Sequence, residues 1–322
     1  MRLLHQLTLN GSLRKDRKKI SLSHRFKRKD FKEEVCTKCQ GKIIPIEGKF
    51  HQVLKELHKI ILTKPIPTFL FDQRPVTPIT SVRRVAYLLW RGDLEGKNIA
   101  VIGDDDLTSL AIGLLGKAKS IVVFDIDIRL VKFINSVAKR KNLKLKAHTK
   151  DLTKGIPKEF YAKFDVFLAD PTPSPKPFEL FTSIGLALLK SGSERIGYLS
   201  FFPSHQEKSM EFQNILNKRK VIITDMIPKF TEYDFLPSTY NTNDLALLQK
   251  FDSGDERLSF HENLTRFETT KNTQRKIFKV NLQQMLGKAT KRVMKNPEKD
   301  PAYNSEDRKF ILSTMKKMKF KS

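Results

Sequence analysis

Asn98-Ile99-Ala100-Val101-Ile102-Gly103-Asp104-Asp105-Asp106 is a short apolar run that stops at one glycine and is followed at once by three carboxylates. Four to five consecutive apolar residues bounded by a turn signal read as a buried strand. Beyond the acids, Leu107, Leu110, Ala111, Leu114 and Leu115 recur at helical spacing up to Gly116. The stretch therefore predicts a strand, a tight turn and a helix, with an acidic knot at the C-terminal end of the strand. In open α/β sheets that end is where ligands bind.

Outward from this unit the chain alternates in the same way. Further strands are expected at Ile121–Phe124, Leu143–Ala147, Val166–Leu168, Ile196–Phe202 and Val221–Met226, with a last, antiparallel one at Leu245–Phe251. Helices are expected from about Phe178 to Leu189 and His205 to Leu216, and one carries Ile128, Val131, Ile134 and Val137 on a single face. Strands alternating with helices imply an α/β, Rossmann-like, doubly wound and mostly parallel sheet. Upstream, His51–Leu62 reads as an amphipathic helix ended by Pro65 and Pro67, and a second helix follows Thr80. Between them, Phe69-Leu70-Phe71-Asp72-Gln73-Arg74-Pro75 is a proline-broken apolar segment able to lie across a site or to serve as a plain linker. The expected organisation is a small basic N-terminal region at 1–68, a Rossmann-like domain at 69–255 and a basic C-terminal extension at 256–322, with a helix over Leu282–Val293.

The 322 residues carry 61 Lys and Arg against 35 Asp and Glu, a formal net charge of +26. That balance allows nucleic-acid contact through the basic ends, for instance at Arg14, Lys15, Arg17, Lys18 and Lys19. No apolar run approaches the roughly 20 residues of a spanning helix, so no membrane segment is expected. Two cysteines and no secretory signal favour a reducing, cytoplasmic setting. Cys36-Thr37-Lys38-Cys39 is half of a zinc site, and a closed site needs four ligands. His51 and His58 lie too far along for a finger, and no metal is expected.

The acids follow the strand ends. Asp104, Asp105 and Asp106 follow the first strand, Asp125 the second, Asp151 the third and Asp170 the fourth. An acid about 20 residues beyond the first turn accepts ribose hydroxyls, and one after the third strand can accept an adenine amino group. This describes an adenosine site. Three carboxylates at the first turn repel a pyrophosphate, since two unit charges 4 Å apart interact with roughly 4 kcal/mol at an effective dielectric of 20. The carboxylate of S-adenosylmethionine is disfavoured for the same reason. Decarboxylated S-adenosylmethionine, a sulfonium with a terminal amine, is attracted, and so is a polyamine acceptor. The chemistry that follows is aminopropyl transfer, with an aspartate taking the proton of the attacking amine. Each acid taken alone also reads as a helix cap.

The motifs Phe71-Asp72-Gln73, Val76-Thr77-Pro78, Arg83-Arg84-Val85-Ala86, Arg91-Gly92-Asp93-Leu94-Glu95-Gly96-Lys97 and above all Gly103-Asp104-Asp105-Asp106-Leu107-Thr108-Ser109 resemble the branched-chain polyamine synthases. The likeness continues through Val123–Asp127, Phe164–Phe167 with Asp170-Pro171, and Ile222–Asp225 with Glu232-Tyr233, and covers roughly residues 69–235. It implies the class I methyltransferase/spermidine synthase fold. It also implies two aminopropyl transfers from decarboxylated S-adenosylmethionine onto the internal amine of spermidine, with methylthioadenosine released. It places Asp106 and Asp170 as catalytic residues and Asp104, Asp105, Asp72, Glu232 and Tyr233 on the polyamine. Gln73, Gly103, Asp125 and Asp151 fall to the adenosine side. Pro171-Thr172-Pro173-Ser174 lacks the acid the family carries there, and Phe201–His205 replaces charged residues, so the acceptor side departs from the pattern. A homodimer fits such an enzyme. The other readings are a methyltransferase using intact S-adenosylmethionine and an inactive nucleic-acid-binding relative.

Overall fold

The computed structural model describes residues 35–172, 174–201, 206–233 and 261–280, together with two short strands nearer the N-terminus. The chain divides into two compact units, Met1–Ile43 and Ile44–Ser322. In the first, β1 (Leu13–Asp16) pairs antiparallel with β2 (Lys19–Leu22).

The second unit is built on a seven-stranded sheet. Its strands are β3 (Asn98–Ile102), β4 (Ser120–Asp125), β5 (Leu145–Thr149), β6 (Val166–Ala169), β7 (Ile196–Phe201), β8 (Val221–Glu232) and β9 (His261–Thr269). Their order is β5-β4-β3-β6-β7-β9-β8. The first five run parallel, and β9 is antiparallel to both β7 and β8. This is the expected doubly wound, mostly parallel class. The order reverses between β3 and β6, which sets the ligand crevice outside their carboxyl ends.

β3 is apolar on both faces because helices cover both. Ile99 and Val101 enter one core layer, and Ala100 and Ile102 the other. The first layer is covered by α1 (Lys49–Ile61), α2 (Pro78–Trp90), α3 (Thr108–Leu115) and α4 (Ile128–Arg140). The second is covered by α5 (Pro175–Leu188) and α6 (Gln206–Lys218). α1 contributes Val53, Leu54, Leu57 and Ile60 to the first core, so this helix belongs to the large unit. α2 begins with Thr77 as N-cap and Pro78 in its first turn, where a missing N–H costs nothing. Residues Thr80 to Leu88 of α2 are all buried, Arg83 and Arg84 included.

The expected last strand at Leu245–Phe251 and the helix at Leu282–Val293 lie outside the described residues. The antiparallel place in the sheet is filled by β9, so the sheet draws on residues beyond 255. Its signal was masked by charge. Arg266 points into the core, where its Nε donates to Asp93 Oδ2 at 2.7 Å, and Tyr198 donates to the same oxygen at 2.5 Å. β8 runs on to Glu232, bending at two register shifts. Its end pairs with the segment before α2, through a Val76–Tyr233 bridge and Thr77 N–H donating to Glu232 O at 2.8 Å.

Candidate active site

Gly103 closes β3 at φ +71°, a left-handed turn that favours glycine. The three acids after it are then held in three different ways. Leu107, the N-cap of α3, has no polar side chain to offer. Asp104 fills that role from three residues upstream, accepting Ser109 N–H at 3.1 Å and the Ser109 hydroxyl. It is 1% exposed, and burial pushes its pKa up to about 8 against the Ser109 bonds.

Asp106 accepts Val76 N–H at 2.9 Å on one oxygen and Arg84 Nη1 at 2.5 Å on the other. Arg84 Nη2 reaches Asp170 Oδ2 and donates to Ser200 Oγ at 2.9 Å. One buried guanidinium from α2 therefore joins the acids of β3 and β6. Burial opposes its charge, but Asp170 and Asp106 outweigh that and push its pKa up. Asp170 also accepts Tyr233 OH at 2.7 Å, and burial brings its pKa up to about 6 against the pull of Arg84. Glu232 forms an ion pair with Arg83 at 3.5 Å. Asp106, Asp170 and Tyr233 thus converge through Arg84, while Glu232 is held apart on Arg83.

Asp105 is bound through its backbone. Its carbonyl accepts the Lys64 ammonium, while its Oδ2 is sealed from solvent and accepts no hydrogen bond. Burial, then Asp106, drives its pKa well up, and Lys64 opposes them. Lys64 arrives just after α1, ahead of Pro65.

At the end of β4, Asp125 accepts Asp104 N–H at 2.9 Å and Asp127 N–H at 2.8 Å, one on each oxygen. Burial raises its pKa to about 6 against those two bonds. Each oxygen keeps a second lone pair, so the residue still fits a ribose diol. Gln73 donates to Asp127 Oδ2 at 3.1 Å and accepts Thr68 N–H at 2.8 Å, which moors the proline-broken segment over the end of β4. Asp72 is half-buried at φ +54°. Asp151 caps its own turn, accepting Thr153 N–H at 3.0 Å and Thr153 Oγ1 at 2.6 Å, and pairs with Lys154 at 3.2 Å. It joins no other acid of the set.

Lys64 escaped the sequence reading because it sits 41 residues before its partner, and nothing local marks it. Arg84 stands within the Arg83-Arg84-Val85-Ala86 motif, where nothing local marks it as the partner of Asp106 and Asp170. Among the described residues, no three His, Cys, Asp or Glu side chains are grouped as a metal site, and no helix is long and apolar enough to cross a membrane. Cys36 and Cys39 are free thiols.

The relative named N(4)-bis(aminopropyl)spermidine synthase from Thermococcus kodakarensis is 41% identical over 202 residues, which are 62% of this chain and 57% of that protein. The one of the same name from Methanocaldococcus jannaschii is 37% identical over 203 residues, again 62% and 57%. The chain thus spans somewhat over half the length of these relatives. A crystal structure of the branched-chain polyamine synthase from Thermus thermophilus, in complex with N4-aminopropylspermidine and 5'-methylthioadenosine, superposes with a TM-score of 0.66. It is 26% identical, with 86% of this chain and 80% of that one covered. The family model described as the branched-chain polyamine synthase A C-terminal domain matches residues 52–292. That match runs through the whole seven-stranded sheet with its acidic strand ends, and the chain belongs to the branched-chain polyamine synthase family.

Proposed function

We propose that the chain is an aminopropyltransferase that moves the aminopropyl group of decarboxylated S-adenosylmethionine to the internal amine of a spermidine-like polyamine, releasing methylthioadenosine. The observation that carries this reading is the pair Asp106 and Asp170, held on Arg84 at the switch point of the sheet. The relatives' names and the ligands of the Thermus structure support it.

In the reaction, the amine lone pair attacks the methylene carbon next to the sulfonium. The carbon–sulfur bond breaks and its electrons neutralise sulfur. A secondary amine must also lose its proton, and the carboxylate of Asp170, oriented by Tyr233 and Arg84, is the acceptor. Asp106, bonded to Val76 and Arg84, supplies fixed negative charge beside the incoming cation, and Asp105 takes an ammonium. Gln73, Gly103 and Asp125 shape the nucleoside side, where Asp125 retains acceptor capacity. Asp72 and Glu232 border the polyamine.

A second transfer onto the same nitrogen starts from a tertiary amine, which is itself protonated near pH 7 and must shed that proton to expose its lone pair. Asp170→Asn should therefore slow both transfers by roughly 100- to 10,000-fold, and the loss should shrink as pH rises and the free amine accumulates. Single-turnover formation of methylthioadenosine from spermidine and from N4-aminopropylspermidine at stepped pH reads this. A loss that ignores pH rules out Asp170 as the base. In the parent assay, spermidine and decarboxylated S-adenosylmethionine should yield methylthioadenosine and a heavier polyamine. Product formed only from intact S-adenosylmethionine, as methylation, would overturn the reading.

A further inference from the structure

Lys64 lies outside every motif that carries the family likeness, yet its ammonium sits at the acidic turn. Its position follows from local geometry. Thr63 and Lys64 N–H groups tighten the end of α1 onto Ile60 O at 3.2 Å and Ile61 O at 3.0 Å. Pro65 then forbids further helix and restricts Lys64 to extended backbone. The side chain donates to the carbonyl of Asp105. There it faces Asp105, Asp106 and Asp104 of the turn and Asp125 of β4. Burial pulls its pKa down and these acids oppose the pull. Asp105 in turn faces Asp106, Asp125 and Asp170 as well as Lys64.

The other cation described here, Arg84, is committed to Asp106 and Asp170. The charge that opposes the crowding at Asp105 is therefore Lys64. It does so without occupying the carboxylate, because it bonds the backbone carbonyl and leaves Oδ2 sealed and unpaired. A buried acceptor with no partner is costly unless a ligand completes it.

We propose that Lys64 is a positioning residue for polyamine binding, holding the Asp105 carbonyl so that the turn presents the Asp105 carboxylate to a substrate ammonium. The inference rests on the polyamine reading of this turn. A lysine here also repels a cationic ligand, so the sign of its effect is decisive. If Lys64 favours the ionised form of Asp105, removing it raises the pKa of that acid further, and more of it must ionise as the polyamine arrives. If Lys64 merely competes with the polyamine, removing it tightens binding.

The test is calorimetric titration of spermidine into the full chain, in buffers of different ionisation enthalpy, for the parent, Lys64→Met and Lys64→Arg proteins, with thermal unfolding as the check on folding. The expected result is affinity weakened by roughly tenfold or more in Lys64→Met. Proton release on binding should exceed the parent's, the deficit should shrink as pH rises, and Lys64→Arg should restore both. Unchanged or tighter binding by Lys64→Met overturns the assignment, as does a loss that ignores pH. A parent protein that does not bind spermidine brings down the polyamine reading itself, which a parent that binds leaves standing.

Discussion

Arg84 decides how two of the acids are held. It is 4% exposed, and its partners come from the turn after β3 and the end of β6. Breaking a buried ion pair from one side leaves the other side uncompensated, which costs about 3–5 kcal/mol. Arg84→Met should lose stability of that order in urea denaturation, while Arg84→Lys, which keeps the charge, should lose less. Asp104 shows the opposite case. Its folded pKa of about 8 lies above its ordinary value of 3.8, so the folded state binds the extra proton between those limits. By linkage, its contribution to stability is fully present below about pH 4 and declines as pH rises through about 8. Asp104→Asn keeps an acceptor for Ser109 and removes the charge. Its stability should fall less steeply over that window, as measured by denaturation at stepped pH. The cap reading of a strand-end aspartate describes Asp104 and Asp151 well, because capping is a local bond to the next few residues. The partners of Asp105 and Asp106 were not legible, because Lys64 and Arg84 stand 41 and 22 residues away.

At the scale of elements, β9 shows what a charged strand needs. A buried arginine is tolerated there because Asp93, Glu268 and Thr224 receive its donors. The strand also packs Phe267 flat against β7, where Gly197 leaves room. A Cβ on Gly197 would lie 2.1 Å from the ring, and the Phe267 ring itself meets Phe167 edge-on at 5.7 Å. Gly197→Ala should cost about 1–3 kcal/mol through overpacking, read as a lowered Tm in calorimetry. The helices α4 and α5 were legible from apolar spacing, although α5 starts at Pro175, three residues before the expected point, since proline is accepted in a first turn. The long β8 was read only to Met226, because its bulges break the two-residue alternation.

For the molecule as a whole, the sheet depends on a strand that the expected 69–255 segment would exclude. β7 and β8 are not paired with each other, and β9 joins them. A chain ended at 255 should therefore lose the cooperative transition of the parent in circular-dichroism melting. The net charge of +26 has little bearing on what enters the crevice, since salt screens exposed charge beyond roughly 10 Å at 0.1 M. The acids at the strand ends act at contact distance.

The alternation of apolar strands and helices, the parallel class and the acids at the strand ends were all present in the sequence, because periodicity and turn chemistry are properties of neighbouring residues. Only the tertiary structure decided which acid is capped, which is paired and which is left with an unpaired oxygen. Those states depend on burial and on the distance to Ser109, Arg84 and Lys64. Burial and distance are set by how α1 and α2 pack across the carboxyl end of β3, and no local stretch of sequence records that.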